Sequence, residues 1–478
     1  MSFAAPAYAA SRPRGEALSY DLAPHGLALA IFALCAFSPA ILNDGDTWSH
    51  IATGDWILAH RAVPHADPFS YSFAGRPWTA HEWLSEIALA LAYRAAGYAG
   101  VVLLTAAAAA AAIFVVARGA ARDLGGPALA ALGGLALMLL APSLLARPHI
   151  LALPVFALWT QALFDARARD RAPPLGLALL MTLWANLHGG FAFGLALIAP
   201  LALEAVVVAE HKLAAARDWA LFGLAAVTAA LINPFGVEGL MFPVRLLGLK
   251  ALAQVGEWGP ESFAHPNALE AAMLGLIALA LTRPFRLPPI RLALLLGLLH
   301  LSLSHARHEM LLAVVAPMLL ARPLSEALAA PADKPRYAPR LALAGVVAAA
   351  LVFGVGRLAL QPPLPGGYAS FRAALAALPA QTLGKPVLNG YAFGGYLIFE
   401  GVKPYVDGRA DMFGDAFLSR YAHVARGEHD ALTAVLAREN VGWTLFSPEQ
   451  GAATAMDAMP GWRRVYADPR VVAHVRIE

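Results

Sequence analysis

Eleven apolar runs, separated by loops that alternate in basic content, constrain this chain more than any single motif. They lie at 24–43, 98–117, 127–146, 149–164, 175–188, 190–209, 219–233, 269–282, 290–304, 309–321 and 341–358. A bilayer-crossing helix needs about 20 apolar residues, fewer where it is broken or tilted. One set of loops holds Arg118 and Arg122; Arg167, Arg169 and Arg171; Lys212 and Arg217; Arg283, Arg286 and Arg291; then Arg322, Lys334, Arg336 and Arg340. The loops between them are short and poorer in Lys and Arg, or long and mixed. Basic loops favour the cytoplasmic side, so the N-terminus is expected inside and, after an odd number of spans, the C-terminus outside.

Composition supports this reading. The 478 residues are 59% hydrophobic and 14% charged, with mean hydropathy +0.59, against roughly 25% charged in soluble domains. The net charge of +3 is spread over short loops, which argues against nucleic-acid binding. The single cysteine, Cys35, leaves no intrachain disulfide framework. Residues 1–23, with Arg12 and Arg14, read as a cytoplasmic tail. The run Leu27–Leu42 has no small-residue cleavage site before Asn43, so the first span is expected to be retained. The expected fold is a polytopic α-helical membrane protein of about 11 spans over 24–358, with a small C-terminal α/β domain over 359–478 facing the periplasm. In that tail Tyr368–Leu378, Phe413–Val424 and Ala431–Glu439 read as helices. Strands are expected after Lys385, at Val441–Phe446 and over Arg470–Ile477.

Two long outside loops are expected, at 44–97 and 233–268. The first opens with Asn43-Asp-Gly-Asp-Thr-Trp-Ser-His50, which sets two carboxylates and an imidazole at a span end, where ionisable groups are expensive. Thr47–Ala59 reads as an amphipathic helix, and a second helix starts at His81 and runs to a break at Gly97–Gly100. Pro64–Pro68 and Ala74–Pro77 are turns. Trp48, Trp56, Trp78, Trp83, Tyr71 and Tyr93 suggest that both helices lie at the headgroup level. Asp46 and His50 are four apart and share a helix face. Glu82 and Glu86 are also four apart, a like-charge pair that costs about a few tenths of a kcal/mol unless something cationic sits nearby. Asp44 and Asp46 either solvate the end of the first span, Asp46 capping a helix that begins at Thr47, or carry chemistry.

The chain resembles the bacterial GT-C-type membrane glycosyltransferases. The resemblance rests on Asp44-x-Asp46-x-Trp48-x-His50, Pro64-x-x-Asp67-Pro-Phe-Ser-Tyr71 and Trp78-x-x-His81-Glu82-Trp-Leu-x-Glu86. It continues through Arg147-Pro-His149, Trp184-x-Asn186-x-His188-Gly-Gly, Asn233-Pro-Phe-Gly and Ser304-His305-Ala-Arg307-His308. Asn389-Gly-Tyr-x-Phe-Gly-Gly-Tyr396 and Asp407-Gly-Arg-Ala-Asp411 in the tail fit as well. More narrowly, it resembles the bacterial branch near the dolichyl-phosphate-mannose-dependent and lipid A aminoarabinose transferases.

The resemblance implies an enzyme of the bacterial inner membrane that moves a sugar from a polyprenyl-phosphate donor to an envelope acceptor by inverting displacement. The catalytic acid after the first span then maps onto Asp44 or Asp46, with Glu82 beside them. His50, His81, Glu86, Arg147, His149, Asn186, His188, His305, Arg307 and His308 are the candidate substrate-binding residues, Arg147 and Arg307 as phosphate clamps. Oligosaccharyltransferases carry a second acidic pair in a later outside loop. Arg147-Pro-His149 stands after the third span instead, so no metal site is expected, and a divalent cation stays an alternative, with His305, His308 and Glu309 as conceivable ligands. Each single residue also has a plainer reading: snorkelling arginines, histidines bonded between packed helices, and a turn ion pair at Asp407, Arg409 and Asp411. The competing functions are a transporter or flippase of lipid-linked glycans, which would place ionisable groups near the midplane, and a non-catalytic envelope-assembly protein. No nucleic-acid partner is expected; the oligomeric state is left open.

Overall fold

The computed structural model describes residues 22–250, 252, 258–330 and 339–477. The expected tail with Arg12 and Arg14, as well as Lys334 and Arg336, lies outside the described residues. All eleven apolar runs are helical. They are α1 (Ala23–Phe37), α3 (Trp83–Ala120), α4 (Gly126–Leu140), α5 (Pro148–Ala168), α6 (Leu179–Leu187, entered by a 3-10 turn at Leu175–Ala178), α7 (Phe191–Val208) and α8 (Lys212–Ala230). After these come α10 (Ala268–Thr282), α11 (Pro289–Ser304), α12 (Glu309–Leu328) and α13 (Pro339–Ala359). Among the described residues, 7 helices are long and apolar enough to cross a membrane; Ala23–Phe37, Leu175–Leu187, Ala268–Thr282 and Pro289–Ser304 are shorter apolar helices. This is a multi-pass membrane protein.

The centre of the bundle is α3, whose Ala106, Ala109 and Ala112 are fully buried in the core shared with α1 and α5. The alanine-rich stretch works as a smooth surface that lets neighbouring helices approach. The expected break is present: Ala96 and Gly97 leave helical geometry inside α3, Gly97 with φ 60°. The basic loops gather at one end, where Arg122 pairs with Asp165 and both Arg167 and Arg291 reach Glu204.

The first long loop forms α2 (Gly45–His60) and then an irregular segment up to α3. One of its expected headgroup anchors lies inside the protein. Trp48 is 0% exposed, its ring stacked on Tyr368 at 3.8 Å and packed against Tyr98, Tyr396 and Phe399. The indole that should anchor in headgroups is instead the core of a contact with the tail. Gly54 shows how closely α2 and α3 meet: a Cβ there would collide with the Glu86 carbonyl. The second loop also holds a helix, α9 (Val237–Leu247), which its Pro243 and short apolar pattern concealed.

Beyond α13 follow α14 (Gly366–Ala377), β1 (Val387–Asn389), α15 (Gly394–Phe399), α16 (Ala410–Ala425), α17 (His429–Arg438), β2 (Trp443–Phe446), α18 (Gly451–Asp457), β3 (Trp462–Ala467) and β4 (Val472–Arg476). The sheet order is β1-β2-β4-β3, with β1 and β2 parallel and the other pairs antiparallel. β3 was missed because this edge strand has no buried face and slips register between Arg464 and Tyr466, which erases the period-two pattern. α15 rests on α2, with Gly395 against the Gly45 carbonyl.

The Trp48 cluster gives a direct test. Trp48→Ala should cost about 3–5 kcal/mol, as buried large-to-small aromatic changes do, while Trp56→Ala, at a half-buried ring stacked only on His60, should cost less than about 1 kcal/mol. Thermal unfolding of the detergent-solubilised variants reads the difference.

Candidate active site

The start of α2 is fixed by its own sequence. Asp44, extended at φ −144° and ψ 128°, is the N-cap, and its Oδ1 accepts from the Asp46 N–H at 2.7 Å. The expectation that Asp46 caps a helix beginning at Thr47 is therefore corrected: the helix begins two residues earlier, and Asp46 in its first turn faces a cavity. Arg147, just before α5, reaches both carboxylates, Nη1 at 3.2 Å from Asp44 and Nη2 at 2.7 Å from Asp46. Gly408 lies so close above Asp46 that a Cβ there would strike the carboxylate.

The cavity holds about 90 Å³ and is lined by Asp46, Ser49, His50, Thr53, Trp78, Ala80, His81, Glu82, Glu86, Arg147, Gly408, Arg409 and Asp411. Residues from α2, the first loop, the start of α3, the start of α5 and the tail thus converge. The acidic pair has its cation: His50 Nδ1 lies 3.1 Å from Glu86 and Nε2 lies 3.9 Å from Glu82. Burial opposes the imidazolium, but the Glu86 hydrogen bond and the charges of Glu82, Glu86 and Asp46 outweigh it and hold the His50 pKa above its ordinary value. Glu86 Oε2 is buried with no hydrogen-bond partner among the described residues.

Glu82 is ringed by imidazoles, with His188 Nε2 at 3.5 Å and His81 Nε2 at 3.6 Å from its Oε1. The Gly190 N–H donates to His188 Nδ1, so neutral His188 carries its proton on Nε2 and points it at Glu82. Burial lowers the His188 pKa well below its ordinary value, helped by His149 and Arg307, and lowers that of His81 to about 3. Burial pushes Glu82 up to about 7 against the pull of His50, and Asp411 up to about 6 against Arg409.

The remaining candidates fall outside the cavity. Asn186 is used up structurally: it accepts from the Trp83 indole and donates to the Thr182 and Ile232 carbonyls. His149 bonds the Ser143 carbonyl, and its ring lies 6.1 Å from that of His188. Arg307 lies over the Trp258 ring at 4.1 Å, and His305 bonds the Trp258 carbonyl at 2.7 Å. His308 is buried against Phe193. His305 and His308 therefore face packing partners, and among the described residues no three His, Cys, Asp or Glu gather as a metal ligand set. The Asp44–Asp46 pair does not suit a divalent cation either, because a guanidinium already bridges it.

Two residues that sequence reasoning had set aside also line the site. Arg409 forms the expected turn ion pair with Asp407, at 2.6 Å, and also reaches the buried Asp67 of the first loop at 2.7 Å. Asp411 follows it into the cavity wall. The signal was the Asp407–Asp411 motif itself; its partner Asp67 stands 342 positions away.

Comparison with solved structures identifies the architecture. The archaeal oligosaccharyltransferase AglB from Archaeoglobus fulgidus, in complex with an inhibitory peptide and a dolichol-phosphate, superposes with TM-score 0.52 at 11% identity, covering 89% of this chain and 69% of that one. ArnT from Cupriavidus metallidurans bound to undecaprenyl phosphate superposes with TM-score 0.51 at 14% identity, covering 94% of this chain and 97% of its own. The chain has the GT-C membrane glycosyltransferase fold. No protein-family model and no curated protein sequence matches it.

The raised pKa values give a prediction. A carboxyl or imidazole that holds its proton more tightly when folded stabilises fully below its unfolded pKa, and the contribution is lost as pH rises through the folded value. Melting temperature should therefore fall between pH 5 and pH 8 as Glu82 ionises, and Glu82→Gln should flatten that fall.

Proposed function

We propose that the protein transfers a sugar from a polyprenyl-phosphate carrier to an acceptor outside the cytoplasm, at the cavity between α2, the start of α3 and the tail. The observation that carries this reading is the convergence of Asp46, Glu82 and Arg147 on one cavity inside a GT-C fold. AglB and ArnT, which share the fold, are described with a dolichol-phosphate and with undecaprenyl phosphate.

The carrier has a place to lie. An apolar groove of about 550 Å³ runs between α5, α7, α11 and α12, lined by Phe156, Phe193, Leu197, Leu203, Leu301 and Leu311 among others. Its end at Phe193 meets His308, beside Arg307 and Trp258. A phosphate at this end meets a guanidinium, whose planar donors suit phosphate oxygens, and the donor sugar then extends toward His188 and Glu82.

Two carboxylates in different surroundings suit the two proton roles. Asp46, ion-paired to Arg147, takes the proton of the acceptor hydroxyl as its oxygen bonds to C1. The C1–O(phosphate) bond breaks, and its electron pair stays on the carrier phosphate. Glu82, protonated up to about pH 7, donates a hydrogen bond to that leaving phosphate, and Glu86 Oε2 is available to a sugar hydroxyl. Attack from the face opposite the phosphate inverts C1. The basic loops at the other end of the bundle favour an extracytoplasmic position for this cavity.

Purified protein in nanodiscs, given labelled polyprenyl-phosphate sugars and an envelope extract, should transfer label, and Asp46→Asn should lower kcat at least ~10²-fold. Transfer should decline above pH about 7 in the wild type, and Glu82→Gln should remove that alkaline limb. Full activity in Asp46→Asn would reject the base assignment.

A further inference from the structure

The transfer cavity is too small to show what accepts the sugar, but a second, larger opening adjoins it. A cleft of about 810 Å³ lies between the start of α2 and the tail, within the roughly 300–1,000 Å³ typical of ligand sites. Gly45 lines this cleft while its neighbour Asp46 lines the transfer cavity, so the first turn of α2 is the wall between them.

The walls of the cleft have a definite chemistry. Tyr391 offers a half-buried ring. Around it stand Asn43, Glu449 and Arg470, all exposed, whose amide, carboxylate and guanidinium make no hydrogen bond among the described residues. Planar groups with paired donors or acceptors match neighbouring hydroxyls on a sugar ring, and an aromatic face matches the apolar C–H face of the same ring. An extended peptide would instead draw affinity from main-chain pairing with a strand edge, yet no residue of β1, β2, β3 or β4 lines the cleft. A lipid tail would meet two arginines and a carboxylate at Arg426, Arg470 and Glu449.

We infer that this cleft binds a carbohydrate chain and presents one of its hydroxyls past Gly45 to Asp46, so that the acceptor is a glycan. The inference rests on the transferase reading above for the step at Asp46, but the occupancy of the cleft stands apart from it. Burial first, and then the charges of Asp46, Asp407 and Asp411, push the Tyr391 hydroxyl pKa well above its ordinary value.

The test is photo-capture in intact cells producing the full chain, with benzoylphenylalanine introduced at Ala425 in the cleft and, as control, at Arg463 on exposed β3. The expected result is an adduct at 425, absent at 463, that stains for carbohydrate and survives protease treatment of the captured partner. Tyr391→Ala in the same background should lower capture about tenfold, the scale of one lost aromatic contact, and Tyr391→Phe should restore it. A peptide or lipid adduct, or no adduct from a protein that still elutes as a folded species, would overturn the proposal. Binding of undecaprenyl phosphate to the wild-type protein reports the transferase reading separately. Carbohydrate capture without lipid binding would retain the cleft and remove the transferase, and lipid binding with a peptide adduct would do the reverse.

Discussion

The guanidinium of Arg147 between Asp44 and Asp46 is the interaction on which the rest of the structure depends. Two carboxylates two positions apart at the end of a membrane span repel each other and resist burial. Arg147 answers both at once, at 3.2 and 2.7 Å, and thereby ties the start of α2 to the start of α5. With Asp44 committed as helix cap, Asp46 is the carboxylate left facing the cavity. The charges of the opening motif are thus divided between a structural and a chemical task by one residue a hundred positions away.

A second level of organisation depends on that placement. α2 turns His50 toward Glu82 and Glu86, and the imidazolium makes their shared helix face tolerable. The tail then closes over the same helix: Trp48 carries the apolar contact with Tyr368 and Tyr396, Gly408 presses on Asp46, and Arg409 reaches back to Asp67. The site is therefore built by bundle and tail together. Two further hollows lie near it, an apolar groove between α5, α7, α11 and α12 and a ring-lined cleft of mixed polarity against the tail.

Much of this was legible in the sequence, because bilayer thickness and the cost of exposed backbone leave little choice for long apolar runs. The eleven runs, the break at Gly97 and six of the tail's helices and strands, α14, β1, α16, α17, β2 and β4, follow from local pattern. What escaped was tertiary. Nothing local shows that Trp48 is buried under Tyr368 rather than resting in headgroups, since both settings suit an indole. Which aspartate caps α2 turned on the φ and ψ of Asp44. Asn186 carries the same residue type as a binding group, but all its polar atoms are spent on Trp83, Thr182 and Ile232. Asp411 and Arg409 entered the cavity only through folding of the tail onto a segment more than three hundred residues earlier.

The central claim is that a polyprenyl phosphate brings its phosphate to the outer end of the α7–α11–α12 groove, facing Glu82 and Asp46. An experimental structure of the protein with undecaprenyl phosphate tests it most directly. The account predicts the isoprenoid chain along Phe193, Leu197 and Leu311, with the phosphate within hydrogen-bonding distance of Arg307. Lipid density confined to the opposite end, at Arg167 and Arg291, or in a groove that does not reach the Asp46 cavity, would contradict it.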